Sequence, residues 1–263
     1  MIFTSRPIFS QRPWGDRELN ALYNYKSKQP VGEIWLLSDF QEMRTMLKDK
    51  NDSTTYPDNI KKEFAGFEVP RFPLLIKLIS AKDWLSVQVH PDDNKARKLE
   101  EEPWGKTECW YFLTKGKIAA GFRNQPSDLE KINMNKLQIL DTNKGDLVFI
   151  EPGVVHTLGP GSKLIEIQQA SDATYRIYDW NRGRELHIEK AKKVINFSKS
   201  AKIIQDFSSA NFNYFTVKKT STASGTGIAV TLENKPQLYV VLNDRISLGN
   251  DFLWIKMGKK DWL

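Results

Sequence analysis

Short apolar segments recur along most of the chain, each rich in β-branched or aromatic residues and each bounded by Gly, Pro, Asn or Asp. They run from "GEIWLLSD", "FPLLIKLIS" and "WLSVQVH" through "ECWYFLT", "KIAAGF", "DLVFIE", "KLIEIQQ" and "YRIYDW". Four more come later: "NYFTVKKT", "GIAVTLE", "QLYVVLN" and "DFLWIKMG". Segments of this length and composition are strands, and their even spacing calls for an antiparallel β-sandwich or barrel. Helical signals are few. "PDDNKARKLEE", "LHIEKAKKVINF" and "PDNIKKEFAGF" read as short helices, and "DKNDSTT" from Asp49 to Thr55 reads as a surface loop.

A change of texture between Arg184 and Phe197 divides the chain into an N-terminal barrel, residues 1–185, and a smaller piece, residues 186–263. The second piece opens with a linker helix. Its last segment, "LWIKMGKKDWL", reads as a strand, a turn and the opening of another strand, so a second barrel is expected to be incomplete.

A chain of 263 residues with 40% hydrophobic and 27% charged residues buries a sizeable core and excludes disorder. No apolar run reaches the length of a membrane span, and "MIFTSRPIFSQRPWG" lacks the h-region of a signal peptide, so the expected address is the cytoplasm. The single cysteine, Cys109, forms no intrachain disulfide and no thiolate metal site by itself. A net charge of +7 attracts anions. The lysines are dispersed and no helix-turn-helix, zinc-finger or base-stacking pattern accompanies them, so nucleic acid is not the expected partner, whereas a small phosphorylated molecule is compatible.

Residues that could carry chemistry sit at strand ends. In "DWLSVQVHP", Gln88 and His90 share a face, with Leu85, Val87 and Val89 expected on the other, and Pro91 ends the strand. In "WGKTECWYFL", Lys106 and Glu108 share a face with Trp110 while Cys109 and Tyr111 point to the opposite side. An inward carboxylate needs a partner or a cation. A Lys106–Glu108 ion pair would serve as well as a metal. In "GDLVFIEPGVVHTLGPG", a Pro152-Gly153 turn aims His156 into a barrel mouth. Arg176, which opens the strand after the Ser171-Asp172 turn, is either a fixed cation for an anionic oxygen or the partner of Asp172. His187 reads as a helix-start or linker residue without a role. Two imidazoles, a carboxylate and an amide oxygen drawn from these segments form a zinc-type donor set, with iron or manganese as alternatives.

Taken together, "RPWGDREL", "GEIWLLSD", "FPLLIKLISAKDWLSVQVHPDD", "GKTECWYFL", "GDLVFIEPGVVHTLGPG", "EIQQASDATYRIYDWNR" and "RELHIEKA" resemble the short bacterial class of type I phosphomannose isomerases. The resemblance implies a mainly β fold: a cupin-type antiparallel β-barrel, or jelly roll, with a few short helices and a second, incomplete cupin-like barrel. It implies one zinc per chain on Gln88, His90, Glu108 and His156, and active-site roles for Lys77, Lys106, Asp172 and Arg176. The implied reaction interconverts mannose 6-phosphate and fructose 6-phosphate through an enediol. Arg176 would stabilise the enediolate oxygen, Lys77 and Lys106 would hold the anion or move protons, and Asp172 would orient or shuttle them. His90 is a candidate for the C2 proton. The alternative is a cupin that binds a sugar phosphate or a metal without turnover. One departure from the family pattern stands out: "IEPG" places Glu151 where the family has the proline of "IPAG".

Overall fold

In the structure, a computed structural model that describes residues 1–126, 128–259 and 262, the apolar segments pair into three sheets. A seven-stranded sheet runs, edge to edge, Lys202–Ile204, Leu147–Ile150, Glu108–Phe112, Ser162–Gln169, Leu74–Ala81, Val31–Leu37, Ile8–Gln11. A five-stranded sheet runs Leu137–Thr142, Gly116–Phe122, His156–Leu158, Val87–Val89, Tyr175–Tyr178. The third, six-stranded sheet runs Ser209–Asn211, Phe215–Thr231, Leu238–Met257, Ile2–Arg6, Met46–Lys48, Thr54–Thr55. Neighbouring strands are antiparallel throughout the described residues, which matches the mainly β, antiparallel architecture expected.

Strand side chains alternate between faces, and this alternation builds the layers. Ile118, Ala120 and Leu158 of the five-stranded sheet pack against Trp110, Phe112, Val148 and Leu164 of the seven-stranded one, making a sandwich. The seven-stranded sheet uses its opposite face as well. There Cys109, Tyr111, Ile165 and Ile167 join Phe215, Val217, Ile228 and Val240 of the six-stranded sheet. Its central strands are therefore buried along their whole length, so every charged residue they carry must find its partner inside. The outer face of the five-stranded sheet, with Val87, Val89 and Tyr175, is covered by Ala191 and Val194 of the helix Ile188–Val194.

In the six-stranded sheet, Ile228 pairs with both Val240 and Ile255, so the two long strands fold back and each serves twice. The returning arm packs Ala223 and Ile246 over Phe252 and Trp254. This sheet also takes strands from the beginning of the chain, with Ile2 opposite Val241.

The three expected helices are Pro57–Ala65, Asp93–Glu100 and Ile188–Val194. Asp93–Glu100 is capped by Asp92, whose carboxylate accepts the Lys95 N–H at 2.9 Å. A fourth helix, Arg17–Leu22, was not among those expected; Asp16 caps it by accepting from Glu18 N. No helix among the described residues is long and apolar enough to cross a membrane.

Two readings need adjustment, and a third falls partly outside the described residues. The strand through Gln88 is only Val87–Val89, so the alternation does not reach back to Leu85, which packs with the sandwich interior instead of with Val87 and Val89. The Asp49–Thr55 loop holds a two-residue strand, Thr54–Thr55, paired with Met46–Lys48. The strand in "LWIKMGKKDWL" ends at Met257, and residues 260, 261 and 263, where a further strand was expected to open, lie outside the described residues.

Candidate metal centre

Two sheets meet to supply the candidate donors. His156 lies directly opposite Gln88 in the five-stranded sheet, and Glu108 faces them from the start of its strand in the seven-stranded sheet, between Ile150 and Gln168. The turn before His156 is latched to the strand end before it: Gly153 N donates to the His90 carbonyl at 2.9 Å. Gly153 has a φ of 87°, and a Cβ there would sit 3.0 Å from the Val194 carbonyl, so this position requires glycine. Glu151 leaves the site altogether. Its carboxylate pairs with Lys199 at 2.6 Å and Lys202 at 2.9 Å, and the "IEPG" turn still delivers His156.

The hydrogen positions on both imidazoles are set by their partners. His90 Nδ1 lies 3.0 Å from the Ala173 carbonyl and His156 Nδ1 lies 2.9 Å from the Val154 carbonyl. A carbonyl only accepts, so each Nδ1 carries the hydrogen and each Nε2 presents a lone pair. Those lone pairs point at acceptors. His156 Nε2 is 3.2 Å from Glu108 Oε1 and His90 Nε2 is 3.6 Å from Oε2. The donor atoms of the three residues lie within 4.8 Å of one another, and all three side chains are buried. Neither Glu108 oxygen nor His90 Nε2 has a hydrogen bond among the described residues. Burial, with the nearby charge of Lys106, holds the His90 pKa well below the usual imidazole range. Burial would raise that of Glu108, but Lys106, with Nζ 3.3 Å from Oε2, is the leading influence that draws it down instead.

Lone pairs facing lone pairs in a dry interior are unfavourable until a cation sits between them. Imidazole nitrogens and a carboxylate, each imidazole fixed by a backbone carbonyl behind it, are what a zinc-type ion takes. Gln88 completes the group. Its Nε2 lies 3.4 Å from His156 Nε2, and its Oε1 accepts from the Ser86 hydroxyl at 3.2 Å. Turning the amide by half a rotation exchanges these roles, bringing the oxygen to the imidazole side and giving Ser86 a donor.

Gln88 and Lys106 also line a cavity of about 520 Å³, so the donors lie just behind its wall. Further along the same wall, Lys77 pairs with Glu166 at 3.0 Å and donates to Gln168 Oε1 at 3.2 Å, and its Nζ sits 5.0 Å above the Trp35 ring. Glu166 Oε1 accepts the Trp110 indole N–H at 3.1 Å. Glu33 accepts from Arg12 at 3.1 Å and from the Trp35 indole at 2.9 Å. Burial works against the charge on Lys77, yet Glu166 and Glu33 raise its pKa above the usual lysine range. Burial also opposes the charge on Glu33, but Lys77 and Arg12 pull its pKa down to about 2.

The remaining expected residues sit nearer the mouth. Asp172 is exposed there and makes no ion pair with Arg176 among the described residues; its charge acts on Arg12 and Lys77 instead. Arg176 is half-buried, donates from one terminal nitrogen to the Glu185 carbonyl at 2.8 Å, and keeps a buried Nε–H without a hydrogen bond among the described residues. Its backbone N–H donates to His187 Nδ1 at 3.1 Å. His187, assigned no role from the sequence, stands at the start of the helix Ile188–Val194 without a side-chain capping hydrogen bond, and it also lines the cavity. Arg12, Glu33 and Glu166 were likewise not singled out. The available signal was a carboxylate in the middle of an apolar strand, in "GEIW" and "KLIEIQ".

The family model of the phosphomannose isomerase type I catalytic domain matches residues 3–124, a stretch that holds Gln88, His90 and Glu108 and stops short of His156. A curated relative, the probable mannose-6-phosphate isomerase GmuF of Bacillus subtilis, is 36% identical over 209 residues, covering 72% of this chain and 66% of its own length. The mannose-6-phosphate isomerase of Streptococcus mutans is 31% identical over 222 residues, covering 75% of this chain and 70% of its own. The match thus spans about two thirds of the length of these relatives. Among solved structures, mannose 6-phosphate isomerase from Bacillus subtilis superposes with a TM-score of 0.74 at 26% identity, covering 98% of this chain and 97% of that one. The chain belongs to the type I phosphomannose isomerase family.

Proposed function

We propose that this chain is a zinc-dependent isomerase that interconverts mannose 6-phosphate and fructose 6-phosphate. The observation that carries the reading is the convergence of two Nε2 lone pairs and both Glu108 oxygens behind a cavity rich in cations, with no hydrogen bond to Glu108 or to His90 Nε2 among the described residues. Gln88, His90, Glu108 and His156 would hold the ion, and a bound divalent ion supplies Lewis acidity to sugar oxygens in the adjoining cavity.

The chain's own residues do the rest. Aldose–ketose exchange at C1 and C2 removes a proton from C2 and returns one to C1, so negative charge develops on an oxygen in between. A fixed cation near that oxygen lowers the barrier. Arg176 cannot lose its proton under ordinary conditions and has an uncommitted Nε–H, so it is the donor assigned to that oxygen. Lys77, kept protonated by Glu166 and Glu33, acts as a fixed charge that orients the sugar phosphate. Lys106, beside Glu108 and facing the cavity, either holds the substrate or passes a proton, and Asp172 at the mouth orients it. The buried thiol of Cys109 faces the other side of its sheet and takes no part. Its free state suits a reducing compartment such as the cytoplasm.

Mannose 6-phosphate is supplied to metal-stripped and zinc-reloaded protein, and fructose 6-phosphate is measured by a coupled assay. Turnover that returns with zinc is the expected result. Zinc-loaded, folded protein that forms no fructose 6-phosphate would leave a binding protein in its place.

A further inference from the structure

The backbone that brings Lys106 and Glu108 into the site is tied down at three consecutive N–H groups. Gly105 N donates to Asp93 Oδ1 at 2.9 Å, Lys106 N to the Pro91 carbonyl at 3.0 Å, and Thr107 N to Gln169 Oε1 at 2.9 Å. Gln169 Nε2 donates to the same Asp93 oxygen at 3.2 Å, and the other Asp93 oxygen accepts the Tyr214 hydroxyl at 2.5 Å. Approach is so close that a Cβ on Gly105 would fall 2.4 Å from the Pro91 oxygen. Asp93, Gln169 and Tyr214 are all buried.

Asp93 lies three residues after His90, so it joins the end of one donor-bearing segment to the beginning of the other. Tyr214 belongs to neither sheet of the sandwich. It immediately precedes the Phe215–Thr231 strand of the six-stranded sheet, and its ring meets Trp262 edge-on at 5.2 Å. Trp262 in turn meets Trp104 edge-on at 5.1 Å and accepts the Trp104 indole N–H on its carbonyl at 2.8 Å. Trp104 is the residue before Gly105. Among the described residues, none that lines the cavity comes from the six-stranded sheet.

We propose that Asp93, Gln169 and Tyr214 form a positioning lock that sets Glu108 and Lys106 against His90, so that the six-stranded sheet tunes the candidate metal centre from behind. A carboxylate that accepts from a backbone N–H, an amide and a phenol holds all three with charge-assisted bonds. Losing the phenol frees one arm of the lock without emptying the core. Donor atoms set to fractions of an ångström turn a small drift into lost affinity, as partners behind metal ligands do elsewhere. The turnover arm of this inference rests on the isomerase reading; the metal-binding arm does not.

The test compares full-length wild type with Tyr214→Phe, Asp93→Asn and Asp93→Ala, and with Ile246→Val, a control in the outer core of the same six-stranded sheet. Metal-free protein is titrated with cobalt(II) and followed by its visible absorption, with melting temperature and coupled turnover measured in parallel. Tyr214→Phe is expected to weaken cobalt affinity about 10-fold and to lower kcat while KM stays within about twofold. Asp93→Asn, which keeps an acceptor, is expected to lose less than Asp93→Ala. Ile246→Val should lower the melting temperature and leave affinity and kcat alone. Folded Tyr214→Phe with wild-type cobalt affinity and spectrum overturns the lock, as does an equal loss in the Ile246→Val control. If an Asp93 variant does not fold, Tyr214→Phe decides alone. Wild type that binds cobalt but shows no turnover sinks the isomerase reading and leaves the lock to be judged on affinity, whereas wild type that binds no cobalt sinks both.

Discussion

Two groups of buried charge face the inside of the same sandwich, and they are solved differently. Around Lys77, the chain supplies its own partners: Glu166 has Lys77 and the Trp110 indole, and Glu33 has Arg12 and the Trp35 indole. Around Glu108, two imidazoles turn lone pairs toward a carboxylate, and among the described residues the Lys106 ammonium is the one fixed cation facing it. Both groups sit on strands buried on both faces, so burial alone does not separate them. Donor counting does. The first group is electrically complete and shapes a field; the second has more acceptors than hydrogens and fits a cation.

That contrast predicts unequal responses to the same kind of substitution. In metal-free protein, Glu108→Gln takes the charge partner from the buried Lys106 ammonium but introduces N–H groups that can reach the imidazoles, so part of the loss is offset and the urea midpoint should fall less than for a break in the first group. Lys77→Met breaks a buried pair that has no substitute and should cost about 3–5 kcal/mol. With zinc present the ranking of function reverses the ranking of stability. Glu108→Gln should lose bound metal and several kcal/mol of transition-state stabilisation, on the order of 10³ in rate. Zinc titration with urea unfolding checks both. Equal destabilisation of the two metal-free variants would erase the distinction between the groups.

Arg176 belongs to neither group, which makes it the cleaner probe of chemistry. Its backbone lies opposite Gln88, but its guanidinium makes no hydrogen bond to a candidate donor among the described residues, and its side-chain hydrogen bond goes to the Glu185 carbonyl. Arg176→Ala should therefore retain zinc at wild-type stoichiometry while kcat falls about 10²–10³-fold, the usual loss when a preorganised donor to a developing oxyanion is removed. Metal analysis on the same sample as the assay makes the test. A loss of zinc along with turnover would move Arg176 into the metal centre.

How much of this was legible beforehand depended on whether the deciding contact was local. Gln88 and His90 could be paired because strand side chains repeat every second residue, and His156 because a proline-glycine turn fixes the direction of the returning strand. Lys106, Glu108 and Cys109 could be sorted to opposite faces for the same reason, and they are. Glu33 and Glu166 escaped notice because their meaning lies in Arg12, Trp35, Lys77 and Trp110, which come from other strands. The pairing of Ile2–Arg6 with Leu238–Met257 spans almost the whole chain, and no local pattern encodes it. Tyr214 was hidden for the same reason: its hydroxyl reaches an aspartate 121 residues away.

Glu33 offers the smallest and most graded separation of the two groups. Its carboxyl titrates near 2 in the folded protein against an ordinary 4.5, because Lys77 and Arg12 outweigh the burial that would otherwise raise it. Between those values the unfolded chain binds more protons than the folded one. The stability Glu33 contributes is therefore fully present above about pH 4.5 and drains away as the pH falls toward 2. The size of that contribution is on the order of 3 kcal/mol. Glu33→Gln removes the titration, so the deficit of the variant against wild type should be largest at neutral pH and shrink toward pH 2.5. Urea unfolding of both proteins across that range measures it. A deficit that stays constant with pH would mean that Glu33 is held by shape and hydrogen bonding alone, and that the completed group owes nothing to its cations.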